Sequence, residues 1–205
     1  MLKVGLTGGI ACGKSTAARM LERKGALLID ADELARKAVE PGQPAYEEII
    51  SWLGSSIVMG DGKLNRAEIA QTVFNDPEAM AILNSIVHSR VRKLFQVRSH
   101  YLAKKYPSRI QVWDVPLLFE AGMQSAVDVV VVVASSEGNQ LARLNQRNGL
   151  SRDEGLARVR SQLPMEQKIK AADYVLDNNG TEEELQKQVD FLWDTLVGFV
   201  QRNET

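Results

Sequence analysis

Apolar residues along this chain gather into short unbroken runs, separated by longer stretches with helical spacing. Four runs are rich in strand-forming residues, at 2–6, 27–29, 110–113 and 129–133, and a weaker fifth lies at 174–176. They are continuously apolar rather than alternating, which is the pattern of strands buried on both faces of a parallel sheet. The helical stretches between them predict βαβ units and an α/β fold, a five-stranded parallel sheet flanked by helices. The last helix carries its own start signal. Thr181 and Glu184 stand at capping-box spacing, followed by Leu185, Val189, Leu192 and Leu196 on one helical face.

Two intervals are longer than a crossover requires. About eighty residues separate the second and third runs, and they read as several helices broken at Pro41-Gly42, Gly60-Asp61-Gly62 and Asp76-Pro77. The other, roughly 143–170, is helical, rich in Arg and Lys and poor in large apolar residues. Neither piece is needed to close a sheet, so both read as substrate-handling attachments to a nucleotide core. The expected division is a single unit over 1–205, with a core at about 1–30, 108–142 and 171–205. The attachments then fall at about 31–107 and 143–170.

Composition narrows the partners. With 205 residues, a formal net charge of −1, 44% hydrophobic and 25% charged residues, the chain has no global field to hold nucleic acid or an anionic membrane. A single cysteine, Cys12, excludes an internal disulfide and a Cys-rich zinc site. The first apolar run passes straight into glycines, unlike a signal peptide. The most apolar stretch, 127–134, has eight residues where a membrane helix needs about 20. A cytoplasmic protein is expected, as a monomer or small homo-oligomer.

The decisive motif is Gly8-Gly9-Ile10-Ala11-Cys12-Gly13-Lys14-Ser15, a complete G-x-x-x-x-G-K-[ST] placed between a predicted strand and a predicted helix. Its glycines permit torsions that turn successive amide N–H groups onto phosphate oxygens, and the helix N-terminus adds partial positive charge. Lys14 is expected to reach the β- and γ-phosphates of ATP, and the Ser15 hydroxyl to ligate Mg²⁺. Gly8, Gly9, Ala11, Cys12, Gly13 and Thr16 complete the expected ATP cradle. Cys12 reads as a small loop filler, not a nucleophile. No Asn-Lys pair occurs in the chain, which removes the guanine reader a switch GTPase needs.

The second run ends in Asp30-Ala31-Asp32 and the third meets Asp114. Ligands of α/β sheets bind beyond the carboxyl ends of the strands, so these carboxylates are expected near the phosphates. One of Asp30 and Asp32 can serve as base toward an acceptor hydroxyl, while the other caps a helix or holds metal-bound water. Asp114 occupies the Walker-B position, where it is expected to hold Mg²⁺ through water. Beyond it, Pro116, Leu117 and Leu118 form either a wall for a ligand or a core turn, before Glu120.

The ordered set of segments resembles dephospho-coenzyme A kinase. It comprises 6–10 leading into the phosphate loop, 30–32, 38–42, 83–88, 115–120, Gln162 with Lys168, and 172–180. The resemblance implies a kinase of the adenylate-kinase type, with a helical domain for dephospho-coenzyme A and a mobile lid over 143–170. ATP would phosphorylate the ribose 3′-hydroxyl of dephospho-coenzyme A, giving coenzyme A and ADP. Lys14, Asp32 and Arg143 are then the catalytic residues. Arg143, Arg147 and Asn179 join the ATP contacts, and His88, Pro116, Leu117, Leu118 and Glu120 join Asp32 on the acceptor. Arg143 and Arg147, four apart, share a helix face. The chain departs from the family pattern in two places. Ala11-Cys12 stands where Gly-Ser or Gly-Ala is usual, and Ser89 follows His88 in place of proline.

Overall fold

In the computed structural model, which describes residues 1–74 and 76–202, the chain forms two units, Met1–Ile29 with Tyr101–Thr205, and Asp30–His100. The last three residues of the segment expected to join the core, 203–205, lie outside the described residues.

The first unit is built on a five-stranded sheet ordered β2-β3-β1-β4-β5. Its strands are β1 (Lys3–Gly8), β2 (Leu27–Asp30), β3 (Gln111–Asp114), β4 (Val129–Ala134) and β5 (Tyr174–Asp177). The central ladders are parallel, with Leu6 opposite Asp114 on one side and Gly8 opposite Val133 on the other. Every residue of β3 and β4 is buried, as two-sided coverage by helices requires, whereas β2 and β5 are edge strands and only partly covered. That explains the weak apolar signal of β5, whose Val175 is 40% exposed.

Helices α1 (Lys14–Arg23) and α9 (Glu182–Arg202) supply much of that cover. Ala17, Met20 and Leu21 of α1 join Val4, Leu6, Val131 and Val133 of the sheet and Leu185, Val189, Leu192 and Leu196 of α9 in one core. The predicted capping box of α9 is present. The Thr181 amide donates to Glu184 Oε2 at 2.8 Å, and Thr181 Oγ1 accepts from the Glu184 amide. Between β4 and β5 run α6 (Glu137–Asn148), α7 (Arg152–Arg160) and α8 (Met165–Lys170).

The second unit is helical: α2 (Ala31–Ala38), α3 (Pro44–Leu53), α4 (Arg66–Phe74) and most of α5 (Pro77–Lys105), which carries the chain back to β3. Its own core centres on Tyr46, Ile49, Ile57, Leu64 and Ile69. Among the described residues no helix is long and apolar enough to cross a membrane.

Candidate active site

The loop between β1 and α1 sits at the carboxyl end of the central strand, and its backbone carbonyls are satisfied from outside the loop. Gln140 Nε2 donates to Ile10 O at 2.7 Å, Arg143 Nη1 to Ala11 O at 3.1 Å and Asn178 Nδ2 to Cys12 O at 2.7 Å. Three successive carbonyls are thus anchored outward by side chains of α6 and of the turn after β5. Such an arrangement turns the loop toward a nest that receives anions through its amides. Gly13 makes the closest approach. Its φ is +90°, and a Cβ there would lie 2.0 Å from Asn178 Nδ2. At Gly8 a Cβ would meet Val133 O at 2.5 Å, so the strand can bend into the loop only with glycine. Ala11 takes φ +59°, a left-handed conformation without glycine's freedom.

Helix α1 begins at Gly13 with no side-chain cap and no acidic residue in its first turn. Helices α2, α6 and α7 are capped instead by Asp30, Ser136 and Ser151. The first amides of α1 therefore keep their donors and the positive end of the helix dipole for an incoming anion. Lys14, the first residue of α1, pairs its ammonium with the Asp114 carboxylate at the end of β3. Both side chains are largely buried, so the pair is shielded from solvent. The exposed Ser15 follows it.

Such a loop binds nucleotide phosphates in several kinds of enzyme, and similarity over the whole chain separates them. The family model for dephospho-CoA kinase matches residues 2–184. The dephospho-CoA kinase of Carboxydothermus hydrogenoformans is 47% identical over 186 residues, covering 91% of this chain and 90% of its own. That of Geobacillus kaustophilus is 43% identical, covering 95% and 98%. The chain belongs to the dephospho-CoA kinase family. Solved structures agree. The Thermus thermophilus protein TT1252 superposes with a TM-score of 0.79 at 35% identity, covering 95% of this chain and 97% of its own. The dephospho-CoA kinase of Campylobacter jejuni gives 0.74 at 27%, covering 96% and 97%.

Residues expected at the site take varied positions. Cys12 is fully buried in the core, and burial raises its thiol pKa against the lowering effects of the Gly9 and Ser135 backbone and of Arg143 and Lys168. It is a filler. Arg143 donates to Ala11 O, Ser135 Oγ and Asn178 O, so its guanidinium braces the loop. Arg147, one turn on, is exposed and bonds Asn148 Oδ1. Asn179 Oδ1 accepts from the Ser136 amide at 2.7 Å and from Asn139, which ties the start of α6 to the turn after β5. Thr16 donates its amide to Gly13 O. Pro116 O accepts from Thr7 Oγ1, while Leu117 is 42% exposed. Leu118 is fully buried against Gly5 and therefore belongs to the core rather than to a ligand wall. Glu120 accepts from the Leu163 amide and pairs with Lys168.

In the helical unit, Asp30 is the N-cap of α2, its Oδ1 accepting from the Asp32 and Glu33 amides at 2.7 and 3.2 Å. Asp32 is exposed in the first turn of α2 and lines a cavity of about 670 Å³. Arg36 and Arg66 stand beside it over an apolar floor that includes Val39, Ile49, Leu64 and Ile69. His88 is exposed on α5.

Gln140 received no role from the sequence, and Asn178 only an expected place, by the family resemblance, with Asn179 and Gly180 at the edge of an adenine pocket. Gln140 lies three residues before Arg143, on the same face of α6, and that spacing was the available signal. Asn178 is brought to the loop only by the parallel pairing of β4 and β5.

Mg²⁺ fits the donors present. Among the described residues no group of three or more His, Cys, Asp or Glu could hold a metal. Ser15 and Asp114 offer two hard oxygens, and Mg²⁺ takes few protein ligands, completing its shell with water and phosphate.

Proposed function

We propose that this protein transfers the γ-phosphoryl group of ATP to the ribose 3′-hydroxyl of dephospho-coenzyme A, yielding ADP and coenzyme A. The observation that carries the reading is the phosphate loop with its three outward-anchored carbonyls and uncapped helix start, in a chain of this family over 2–184. Such transfer depends on positioning and charge neutralisation more than on covalent chemistry.

The amides of Ala11, Gly13, Lys14 and Ser15 hold the β- and γ-phosphates, with Cys12 and Thr16, whose amides bond Gly9 O and Gly13 O, completing the cradle. Lys14 exchanges Asp114 for phosphate oxygens and offsets the charge that grows on them. Ser15 and Asp114 would hold Mg²⁺, which supplies further neutralisation of the phosphates. Arg143 keeps Ala11 in place and adds positive charge beside the phosphates, while Arg147 and Asn179 border the nucleotide. The helical unit takes the acceptor in the cavity lined by Asp32. Arg36 and Arg66 suit its diphosphate, and the apolar floor suits its pantetheine arm. Asp32 accepts the proton of the 3′-hydroxyl as the new O–P bond forms and the bond to ADP breaks. His88, Pro116, Leu117 and Glu120 border the acceptor's path. The segment 143–170 acts as the lid, and the consumption of ATP fits a cytoplasmic enzyme.

The test is ADP release by purified protein with ATP and Mg²⁺ against a panel of acceptors. Stimulation by dephospho-coenzyme A alone is expected. Stimulation by nucleosides or shikimate instead would point to a different small-molecule kinase. Nucleotide binding with no turnover would make the protein a regulator.

A further inference from the structure

Lys168 is a lysine with no exposed surface, an unusual state for a residue that normally keeps its ammonium in water. Its Nζ lies 2.9 Å from Glu120 Oε1, the acceptor that also takes the Leu163 amide at 3.0 Å. One residue earlier, Gln162 Oε1 accepts the Ile10 amide of the phosphate loop at 2.8 Å. The carbonyl of that same Ile10 is held by Gln140, itself buried. Met165 packs on the central core, and its Cε would lie 2.9 Å from a Cβ placed on Gly9. The segment from Gln162 to Lys168 therefore grips two loops at once, the phosphate loop at Ile10 and the loop after Asp114 at Glu120.

This grip bears on a strained residue. Ala11 holds φ +59°, and a side-chain-bearing residue stays in that region only where its surroundings over-determine it. Ile10, immediately before it, has both backbone groups taken by side chains. We infer that Gln162, set in place by the Glu120–Lys168 pair, is a positioning residue that locks Ile10 and so holds the Ala11 backbone ready for the ATP phosphates. The amide it occupies belongs to the base of the loop, which leaves those of Ala11, Gly13, Lys14 and Ser15 for phosphate, the Cys12 amide being bonded to Gly9 O and that of Thr16 to Gly13 O. The inference rests on this loop being the ATP site.

The other regions carry less. The basic pocket of Arg23, Lys24 and Arg109 beside Trp193 has Lys24 paired to Asp190 and Arg109 bonded to Gly25 O. Those two charges are directed at the protein itself.

Calorimetric titration of Mg-ATP into wild type, Gln162→Ala and the double variant Glu120→Gln/Lys168→Met tests the clasp. Wild type should bind, and Gln162→Ala should bind about tenfold more weakly while its melting temperature stays within a few degrees of wild type. The double variant removes both charges together and so avoids leaving a buried ion unpaired. It should weaken ATP binding similarly. Gln162→Glu, which keeps an acceptor for the Ile10 amide, should recover part of the loss. Equal ATP affinity in wild type, Gln162→Ala and the double variant would overturn the clasp. So would a Gln162→Ala that melts much earlier yet binds ATP normally, since that is a structural role alone. A wild type that binds no ATP would instead remove the reading of the loop on which the inference stands.

Discussion

Lys14 is held at the start of α1 by a carboxylate that a phosphate would replace, and its side chain takes no part in the apolar core. Lys14→Ala should therefore fold normally, as circular dichroism would show, and lose about 10²-fold or more in rate, the scale of one preorganised charge. Near-normal turnover would contradict the phosphate assignment. The two carboxylates after β2 separate in the same way. Asp30 spends its side chain on the Asp32 and Glu33 amides, whereas Asp32 is exposed and lines a cavity. Asn caps a helix about as well as Asp, so Asp30→Asn should leave stability and rate little changed, while Asp30→Ala should cost about 1 kcal/mol. Asp32→Asn keeps the shape and loses the basicity. It should lower kcat by about 10²–10⁴-fold with ATP affinity unchanged. The reverse pattern in steady-state kinetics would move the base to Asp30.

At the scale of elements, the clearest dependence is that of α8 on the loop after β3. Burial pushes the Glu120 carboxyl pKa up, but the Lys168 ammonium 2.9 Å away and the Glu120 and Leu163 amides outweigh it and leave it below the ordinary value of 4.5. A depressed folded-state pKa stabilises the fold above the unfolded value, and that contribution is lost as pH falls through the folded one. Melting temperatures of wild type and Glu120→Gln should differ most near neutrality, where the variant leaves a buried ammonium without its carboxylate. The difference should shrink below about pH 4.5 as Glu120 itself takes up a proton. A constant difference across that range would mean that the pair does not link α8 to the loop.

For the whole molecule, the question is which part of the attachment between β4 and β5 can move. In α7 only Gly155 is buried, lying against Leu141, and the arginines of the helix face outward. Residues on either side are tied down, Gln140 and Arg143 to the phosphate loop and Gln162 to Ile10. Few buried apolar contacts mean a low cost of local opening. Amide exchange in 149–161 should therefore be fast in the free protein and slow when ATP and dephospho-coenzyme A are both bound, with smaller changes at 140–148 and 162–168. Equal exchange with and without ligands would count against a lid.

The strands, the phosphate loop and the cap of α9 were legible in the sequence because each is a local matter. A run of four to six apolar residues makes a buried strand wherever it pairs, and Gly-x-x-x-x-Gly-Lys-Ser folds by its own torsions and helix start. Asp30 as a cap was equally local, though the residues alone left it interchangeable with Asp32. Contacts between residues far apart in the chain were not legible. Sheet order decided that Asn178 meets Cys12 across 166 positions and that Gln162 meets Ile10 across 152. It likewise took Leu118 into the core, where the same pattern of apolar residues after a proline equally suits a ligand wall. Lys168 shows the limit most plainly. In sequence it is one cation in a basic stretch, whose ordinary state is solvated, and only the packing of α8 against the sheet strips its water and leaves it facing Glu120.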